Sequence, residues 1–177
     1  GVGKTTFIGY LAHFYANQGK TVLIISADDQ NSIFKIFGCE NFVTDNDDDF
    51  FENLLVGEKK PEEVVFEARP GMYLMKTLNT DRLSINLTLK RSEEKHLRGL
   101  IEDFTNYFDY IFIDFPPSSS RLTEILLDIS EKILLVVALD PLGINGYTNT
   151  IQYFVDCDIE IEKISHIIPI KYHPIKI

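Results

Sequence analysis

The segment at residues 1–6 has the residue types of a loop that holds phosphate groups. It matches the second half of the pattern G-x-x-x-x-G-K-S/T, in which backbone N–H groups near the last glycine surround phosphate oxygens. Lys4 supplies a mobile positive charge, the Thr5 hydroxyl can ligate Mg²⁺, and a helix starting here adds the positive end of its dipole. Because a domain seldom starts inside such a loop, we expect the chain to be a segment of a longer protein, with its first strand before Gly1.

An acidic residue ends a second informative stretch of the chain. Asp114 follows an apolar run at 110–113 and precedes a Phe-Pro-Pro sequence. Mg²⁺ that bridges two phosphates keeps several of its waters, so one strand-end carboxylate is enough to help hold it. Taken alone, an Asp at a strand end is a turn-forming residue as often as it is a magnesium ligand. Beside a phosphate-binding loop the magnesium interpretation is favoured, because open α/β sheets place ligands at the carboxyl ends of their strands.

A third polar cluster, Asp28-Asp29-Gln30, follows the apolar run at 21–25. Transfer of a phosphoryl group to water requires that the attacking water be positioned and the developing charge be balanced. A carboxylate at this strand end can orient that water, and Asp28 is the candidate. An Asx turn that leads into a helix at Asn31 is the alternative, and these residues by themselves favour neither.

Strand-like and helix-like patterns alternate along the chain, which predicts an α/β fold with a three-layer, doubly wound, mostly parallel sheet. Apolar runs predict buried strands at 21–25, 110–114 and 133–139. Further strands are predicted at 72–76 and near 164–168. Apolar residues at helical spacing predict helices at 4–19, 47–56, 61–68 and 92–107, after Ser120, and around 144–155. The segment at 79–88 is predicted to be a loop.

Composition limits what the chain can do. It has 177 residues, 45% of them hydrophobic, and a net charge of −10, so the region as a whole does not have the charge of a nucleic-acid surface. Its longest apolar run, at 133–139, has the length of a strand and not of a membrane span. The acidic run at 45–49 is interpreted as the solvated first turn of a helix in preference to a metal site.

These motifs together resemble those of the ParA/MinD-type ATPases with a deviant Walker A motif, and within them the ParA partition branch. Residues 1–5 match the last positions of K-G-G-x-G-K-S/T, and residues 108–118 resemble Y-D-x-I-x-I-D-x-P-P-S. Residues 26–30 resemble D-x-D-P-Q, except that Ser26 stands for the first acid and Asp29 for the proline. Residues 167–172 resemble the strand-end loop that receives adenine. The resemblance covers essentially the whole chain and implies a single P-loop ATPase domain over residues 1–177.

The resemblance also implies a set of functional residues for ATP and Mg²⁺. Lys4 would contact the β- and γ-phosphates and act in catalysis with Asp28, which would orient the attacking water. Thr5 and Asp114 would hold Mg²⁺, Asp114 through water. The remaining residues implied to bind the nucleotide are Gly1, Val2, Gly3, Thr6, Pro169 and Lys171.

Proteins of this kind form an ATP-dependent homodimer in which a signature lysine of each subunit reaches the other subunit's phosphates. That lysine would precede Gly1, so we expect the truncated chain to hydrolyse ATP weakly without a partner. The partition branch implies nonspecific DNA binding through regions mostly beyond Ile177, a centromere-binding, ParB-like activator, and a cytoplasmic, nucleoid-associated location for plasmid or chromosome partition.

A MinD-like membrane-associated positioning ATPase and a nucleotide-binding regulator with weak hydrolysis, suggested by Ser26, are the alternatives. ATP-dependent ligases and bacterial tyrosine kinases of the same fold are disfavoured, because this chain has neither further substrate-binding clusters nor a tyrosine-rich tail.

Overall fold

The computed structural model describes residues 3–43 and 50–171, which fall into two compact units. The larger unit comprises residues 5–125, and the smaller comprises residues 1–4 together with 126–177. The helices are α1 Lys4–Ala16, α2 Ser32–Ile36, α3 Phe51–Leu55, α4 Pro61–Val64, α5 Thr80–Leu89, α6 Arg91–Phe104, α7 Arg121–Ile129 and α8 Pro141–Asp156, with 3₁₀ turns at Glu40–Phe42 and Ile161–Lys163. The strands are β1 Val22–Ser26, β2 Phe66–Arg69, β3 Met72–Met75, β4 Tyr110–Asp114, β5 Ile133–Ala138 and β6 Ile164–Ile170.

The larger unit is built on a four-stranded sheet with the order β2-β3-β1-β4. β1 lies parallel to both of its neighbours, and β2 pairs with β3 in the antiparallel sense. Every residue of β1 is buried, as the apolar run at 21–25 predicted. The register places Ser26 opposite Asp114, so β1 and β4 end at the same level.

Helices cover both faces of this sheet. Val22 and Ile24 point to one face, where they pack in a buried cluster with Ala12 of α1 and with Ile33 and Phe34 of α2. Successive side chains of a strand point to opposite faces, so Leu23 and its partner across the ladder, Tyr73, lie on the other. There the ring of Tyr73 lies 5.4 Å from Phe108, which lies 6.1 Å from Phe104 of α6. The predicted three-layer, doubly wound, mostly parallel α/β class is therefore confirmed.

The direction of α1 follows from its last turn. Tyr15 stacks on Tyr110 with 4.1 Å between ring centroids, and Tyr110 is the first residue of β4. The last turn of α1 therefore lies at the amino edge of the sheet. A helix of 13 residues is about 20 Å long, close to the length of a five-residue strand, about 17 Å. Thr5 and Thr6, in the first turn, consequently lie toward the carboxyl edge, where β1 and β4 end.

The buried face of α1 agrees in part with the apolar face that helical spacing predicts, which comprises Phe7, Ile8, Leu11, Phe14 and Tyr15. Ile8 and Tyr15 pack against the buried core, but Phe14 is 55% exposed, and the fully buried residues of the helix are Gly9 and Ala12. A Cβ placed on Gly9 would lie 3.4 Å from Cγ2 of Ile36. Glycine faces α2 at this position because that helix packs closely on α1.

The predicted helix at 61–68 is wrong in its second half. α4 ends at Val64, and Phe66–Arg69 forms the edge strand β2. Pro70-Gly71 joins β2 to β3, with Gly71 at φ +76°, the conformation that a type II turn requires of its third residue. The Pro-Gly pair is the sequence signal that predicts this hairpin.

The predicted loop at 79–88 is also wrong, because Thr80–Leu89 is helix α5. Its central residues have modest helix propensity, so the sequence of this segment carries only a weak helical signal. The helix is stabilised by its ends and its packing. The Asn79 side chain accepts a hydrogen bond from the Arg82 N–H at 2.8 Å, and Leu83 and Leu87, one turn apart, are buried.

The smaller unit contains a parallel pair of strands, β5 and β6, in which Val136 lies opposite Ile168. Asp140 caps α8 by accepting the Gly143 N–H at 2.7 Å. Both strands and the helix lie where the sequence predicted them. The acidic run at 45–49 and the start of the helix predicted at 47–56 lie outside the described residues, and the described remainder of that helix is α3. The single ATPase domain over 1–177 stays a prediction.

Candidate functional site

The carboxyl edge of the four-stranded sheet brings two of the predicted acids into one region. The Ala27 N–H, directly after β1, donates to the Asp114 carbonyl at 2.9 Å, so the Asp28 loop starts against the end of β4. The Asp114 side chain is 2% exposed. A buried carboxylate at a strand end is the kind of oxygen ligand that Mg²⁺ prefers.

Asp28 is half-buried and forms an Asx turn. Its Oδ1 accepts the Gln30 N–H at 3.0 Å, and its carbonyl accepts the Ser26 hydroxyl at 3.0 Å. The turn that the sequence offered as an alternative to a catalytic role is therefore present. The two interpretations are compatible, because an ionised carboxylate offers about four lone-pair sites and this turn uses one.

A buried amide closes the same loop. Asn31 is 2% exposed, and its Nδ2 donates to the Thr77 carbonyl at 2.8 Å while its Oδ1 accepts the Thr77 N–H at 3.1 Å. Thr77, which follows β3, is fully buried and donates its hydroxyl to the Ser26 carbonyl at 2.6 Å. The loop after β1 is thus tied to the ends of both neighbouring strands.

The first turn of α1 supplies hydroxyl groups at this edge. Thr5 is half-buried and Thr6 is exposed. A hydroxyl, one carboxylate, phosphate oxygens and waters fit the oxygen coordination of Mg²⁺, so Thr5 and Asp114 suit the ion that the sequence implies. Within residues 3–43 and 50–171 no three His, Cys, Asp or Glu side chains form a metal-binding group.

The smaller unit contains the other predicted nucleotide-binding residues that the structure describes. Gly3 has φ +82°, and a Cβ placed on it would lie 3.6 Å from Cδ1 of Ile170. Pro169 and Lys171, which flank Ile170, are exposed, and Lys171 has φ +56°. The phosphate-loop glycine and the end of β6 are therefore neighbours in this unit. Gly1 and Val2 lie outside the described residues.

Comparison with known families decides what kind of protein carries this site. The family model described as AAA domain matches residues 1–164 of the 177 residues. The chain belongs to this family, the ParA/MinD-type P-loop ATPases.

Relatives in this ATPase family are similar in sequence over most of the chain. An uncharacterized ATP-binding protein of Methanocaldococcus jannaschii is 29% identical over 145 residues, covering 81% of this chain and 51% of that protein. The chromosome-partitioning ATPase Soj of Treponema pallidum is 24% identical over 155 residues, covering 86% of this chain and 58% of that protein. The chain thus spans between 51% and 58% of the length of these relatives.

Solved structures with the same fold include proteins of different activities. The structure of apo McdA from Cyanothece superposes with a TM-score of 0.77 at 21% identity, over 95% of this chain and 66% of that one. A cobyrinic acid a,c-diamide synthase from Mycobacterium smegmatis, solved with an ATP analogue and magnesium, superposes with a TM-score of 0.72 at 21% identity, over 96% of this chain and 70% of that one. These likenesses show the fold, which is shared across functions.

Within residues 3–43 and 50–171, no helix is both long enough and apolar enough to cross a bilayer.

A cluster of ion pairs fixes the helix that follows the Asp114 loop. Arg121, the first residue of α7, donates to Glu94 of α6 and to Glu124, at 2.7 Å each. Arg98 adds a second contact to Glu94 at 3.0 Å. Ser120 caps α7, because its Oγ accepts the Thr123 N–H at 3.2 Å. The Arg121 guanidinium and, more weakly, that of Arg98 lower the pKa of Glu94 against the opposing effect of partial burial.

Replacing Glu94 with glutamine is expected to lower the free energy of unfolding by about 0.5–1 kcal/mol at pH 7, a modest amount because Arg121 is 38% exposed. The pKa of Glu94 is lowered by folding, so its contribution is complete above the ordinary carboxyl range and is lost as the pH falls through the lowered value. Urea unfolding of both proteins at several pH values measures the difference. A difference that persists unchanged in acid would contradict this origin.

Sequence reasoning missed the Asn31–Thr77 contact and the Arg121 cluster. The sequence predicts a helix that starts at Asn31 and assigns no role to Thr77. Both residues lie in the loops that follow β1 and β3, and this position is the one signal that the sequence holds. The sequence does not say that they meet, because the contact joins positions 46 residues apart.

Proposed function

We propose that the chain is the nucleotide-binding region of an ATPase that hydrolyses ATP with Mg²⁺ and uses the cycle to position DNA, as in plasmid or chromosome partition. The observation that carries the proposal is that the Asp28 loop starts against the end of β4, where Asp114 lies, at the edge of the four-stranded sheet toward which α1 begins. The named relative that partitions chromosomes supports the biological role. The protein would work in the cytoplasm, on the nucleoid.

Each residue has a distinct role in this proposal. Bound ATP supplies the phosphoanhydride bond, and Mg²⁺ neutralises charge on its phosphates. Gly3 and Lys4, with Gly1, Val2 and Thr6, would hold the phosphates. Thr5 and Asp114 would hold the ion, and Pro169 and Lys171 would border the base.

Asp28 would accept a hydrogen bond from the attacking water and so hold it in line with the γ-phosphate. Only one of its lone-pair sites is used by the Asx turn, which leaves the carboxylate capacity for that water. Positioning of this kind is the main work that a protein does in phosphoryl transfer.

Ser26 bears on the rate of this reaction. Where the family motif has an acid, Ser26 is fully buried and donates its hydroxyl to the Asp28 carbonyl. It contributes no negative charge near the ion. We therefore propose slow basal hydrolysis that a centromere-binding, ParB-like activator accelerates.

DNA binding in this proposal depends on the complete protein as an ATP-dependent dimer. The chain carries a net charge of −10, so the basic surface must come from a local patch, a dimer groove or other parts of the protein.

The test uses the complete protein with ATP and Mg²⁺ or with ADP. We expect light scattering to give a dimer with ATP only, and fluorescence anisotropy to show binding of random-sequence DNA that weakens steeply with salt. A monomer that ignores DNA in both states would contradict the proposal. Binding to anionic lipid vesicles in place of DNA would favour the membrane-associated alternative.

A further inference from the structure

We propose that Asn31 is a positioning residue for hydrolysis, which holds the Asp28 carboxylate in place through its side-chain contacts with the backbone of Thr77. The inference rests on the proposed role of Asp28 and adds a second residue to the hydrolytic machinery. Asn31 acts through Asp28 and does not itself contact the nucleotide in this proposal.

The Asn31 amide is buried and uses both of its ends. Nδ2 donates to the Thr77 carbonyl at 2.8 Å and to the Asp29 carbonyl at 3.1 Å, while Oδ1 accepts the Thr77 N–H at 3.1 Å. The pair of contacts with Thr77 resembles a step of a β ladder made by a side chain. An amide is the group that can make it, because it offers a donor and an acceptor side by side.

The Asn31 side chain makes its contacts with Thr77 in place of the helix cap that an Asn at this position usually forms. Asn31 directly precedes α2, where an Asn side chain usually caps the helix, yet it makes no such bond. Its φ of 43° is in the left-handed region, which Asn tolerates better than most residues. The side chain thus reaches to Thr77 in place of capping its own helix.

These contacts hold the Asp28 loop at both ends. At its start, the Ala27 N–H donates to Asp114, and the Thr77 hydroxyl donates to the Ser26 carbonyl at 2.6 Å. At its end, Asn31 is bound to the backbone of the same Thr77. Asp28 lies between these anchors, so removing the second one frees the carboxylate to move relative to Asp114. A displacement of about 1 Å is enough to slow an oriented reaction by roughly 100-fold.

The test is the variant Asn31→Gly in the complete protein. Glycine accepts the left-handed backbone at this position and removes only the amide. We expect kcat for ATP hydrolysis to fall by about 10- to 100-fold, while the Kd for ATP in titration calorimetry stays at the wild-type value. Asn106→Gly, at an exposed site after α6, is the matched control and should leave both quantities unchanged.

Asn31→Asp is a second variant in case glycine prevents folding. A carboxylate keeps an acceptor for the Thr77 N–H but cannot donate to the Thr77 carbonyl, so it should also lower kcat. Circular dichroism melting establishes that each variant is folded. Folded variants with wild-type kcat would overturn the proposal, and so would a loss confined to ATP affinity.

A double-mutant cycle with Asp28→Ala separates positioning from general weakening of the protein. If Asn31 acts through Asp28, Asn31→Gly should reduce kcat no further once Asp28 is alanine. Independent, multiplicative losses would overturn the inference. An Asp28→Ala variant with normal turnover would instead refute the proposed function, so the two failures are distinguishable.

Discussion

Replacing Asp28 with alanine in the complete protein is expected to slow ATP turnover by on the order of 10²–10⁴-fold while ATP binding is kept. The carboxylate is proposed to orient the attacking water, and it sits where the loop after β1 meets the end of β4. Binding is kept because the phosphate contacts are assigned to residues 1–6. Steady-state hydrolysis and titration calorimetry with ATP and Mg²⁺ give the two quantities separately.

Asp28 has a structural role as well, so alanine alone does not isolate its charge. Asp28→Asn retains an Oδ1 that accepts the Gln30 N–H and therefore preserves the Asx turn. We expect Asp28→Asn to lose turnover nearly as fully as Asp28→Ala, because the negative charge is absent from both. Asp103→Asn, at an exposed site on α6, is the control, because it removes a carboxylate and should leave ATP turnover unchanged. Normal turnover in both Asp28 variants would assign the orientation of water to another residue.

The strands around this site could be predicted because their sequences leave few alternatives. β4 was predicted with the bounds that the structure has, since the two prolines after Asp114-Phe115 lack the N–H donors that a continuing strand needs. β1 is buried along its whole length, and its sequence accordingly has no polar face. The parallel pairing of β1 with β4 then brings Asp114 to the loop that holds Asp28.

Elements whose own residues do not favour the structure that they adopt could not be predicted in the same way. β2 has an ordinary mixed sequence and becomes a strand because the β3 edge offers it hydrogen bonds. α5 forms despite modest propensity because Leu83 and Leu87 are buried. In both, tertiary packing decides against the local preference.

The candidate site also has one part that could be predicted from local sequence and one part that could not. Asp28 and Asp114 could be proposed from the sequence because each lies at or just after the end of an apolar run, a relation visible in a short window of sequence. The amide of Asn31 and the backbone of Thr77 meet only once β3 lies beside β1, so their contact exists in the fold and not in any local pattern.

Replacing Lys4 with alanine is expected to weaken ATP binding itself, by roughly 10- to 100-fold, since a hydrogen bond to a charged group contributes about 1.5–3 kcal/mol. Lys4 is half-buried at the start of α1, where its ammonium would add to the N-terminal end of the helix dipole in holding phosphate. Titration calorimetry of the complete protein with ATP and Mg²⁺ measures the change. Lys95→Ala, an exposed site on α6, is the control for loss of one positive charge.

The contrast between Lys4 and Asp28 is the sharper test, because the two variants should fail in different quantities. A residue that binds phosphate in the ground state changes the Kd, whereas one that only orients water changes kcat at saturating ATP. Lys4→Ala should therefore regain part of its turnover as ATP is raised, and Asp28→Ala should not. Equal ATP affinity of Lys4→Ala and the wild type would rule out residues 1–6 as the phosphate-binding loop, and Asp28 would then have no substrate to act on at this edge.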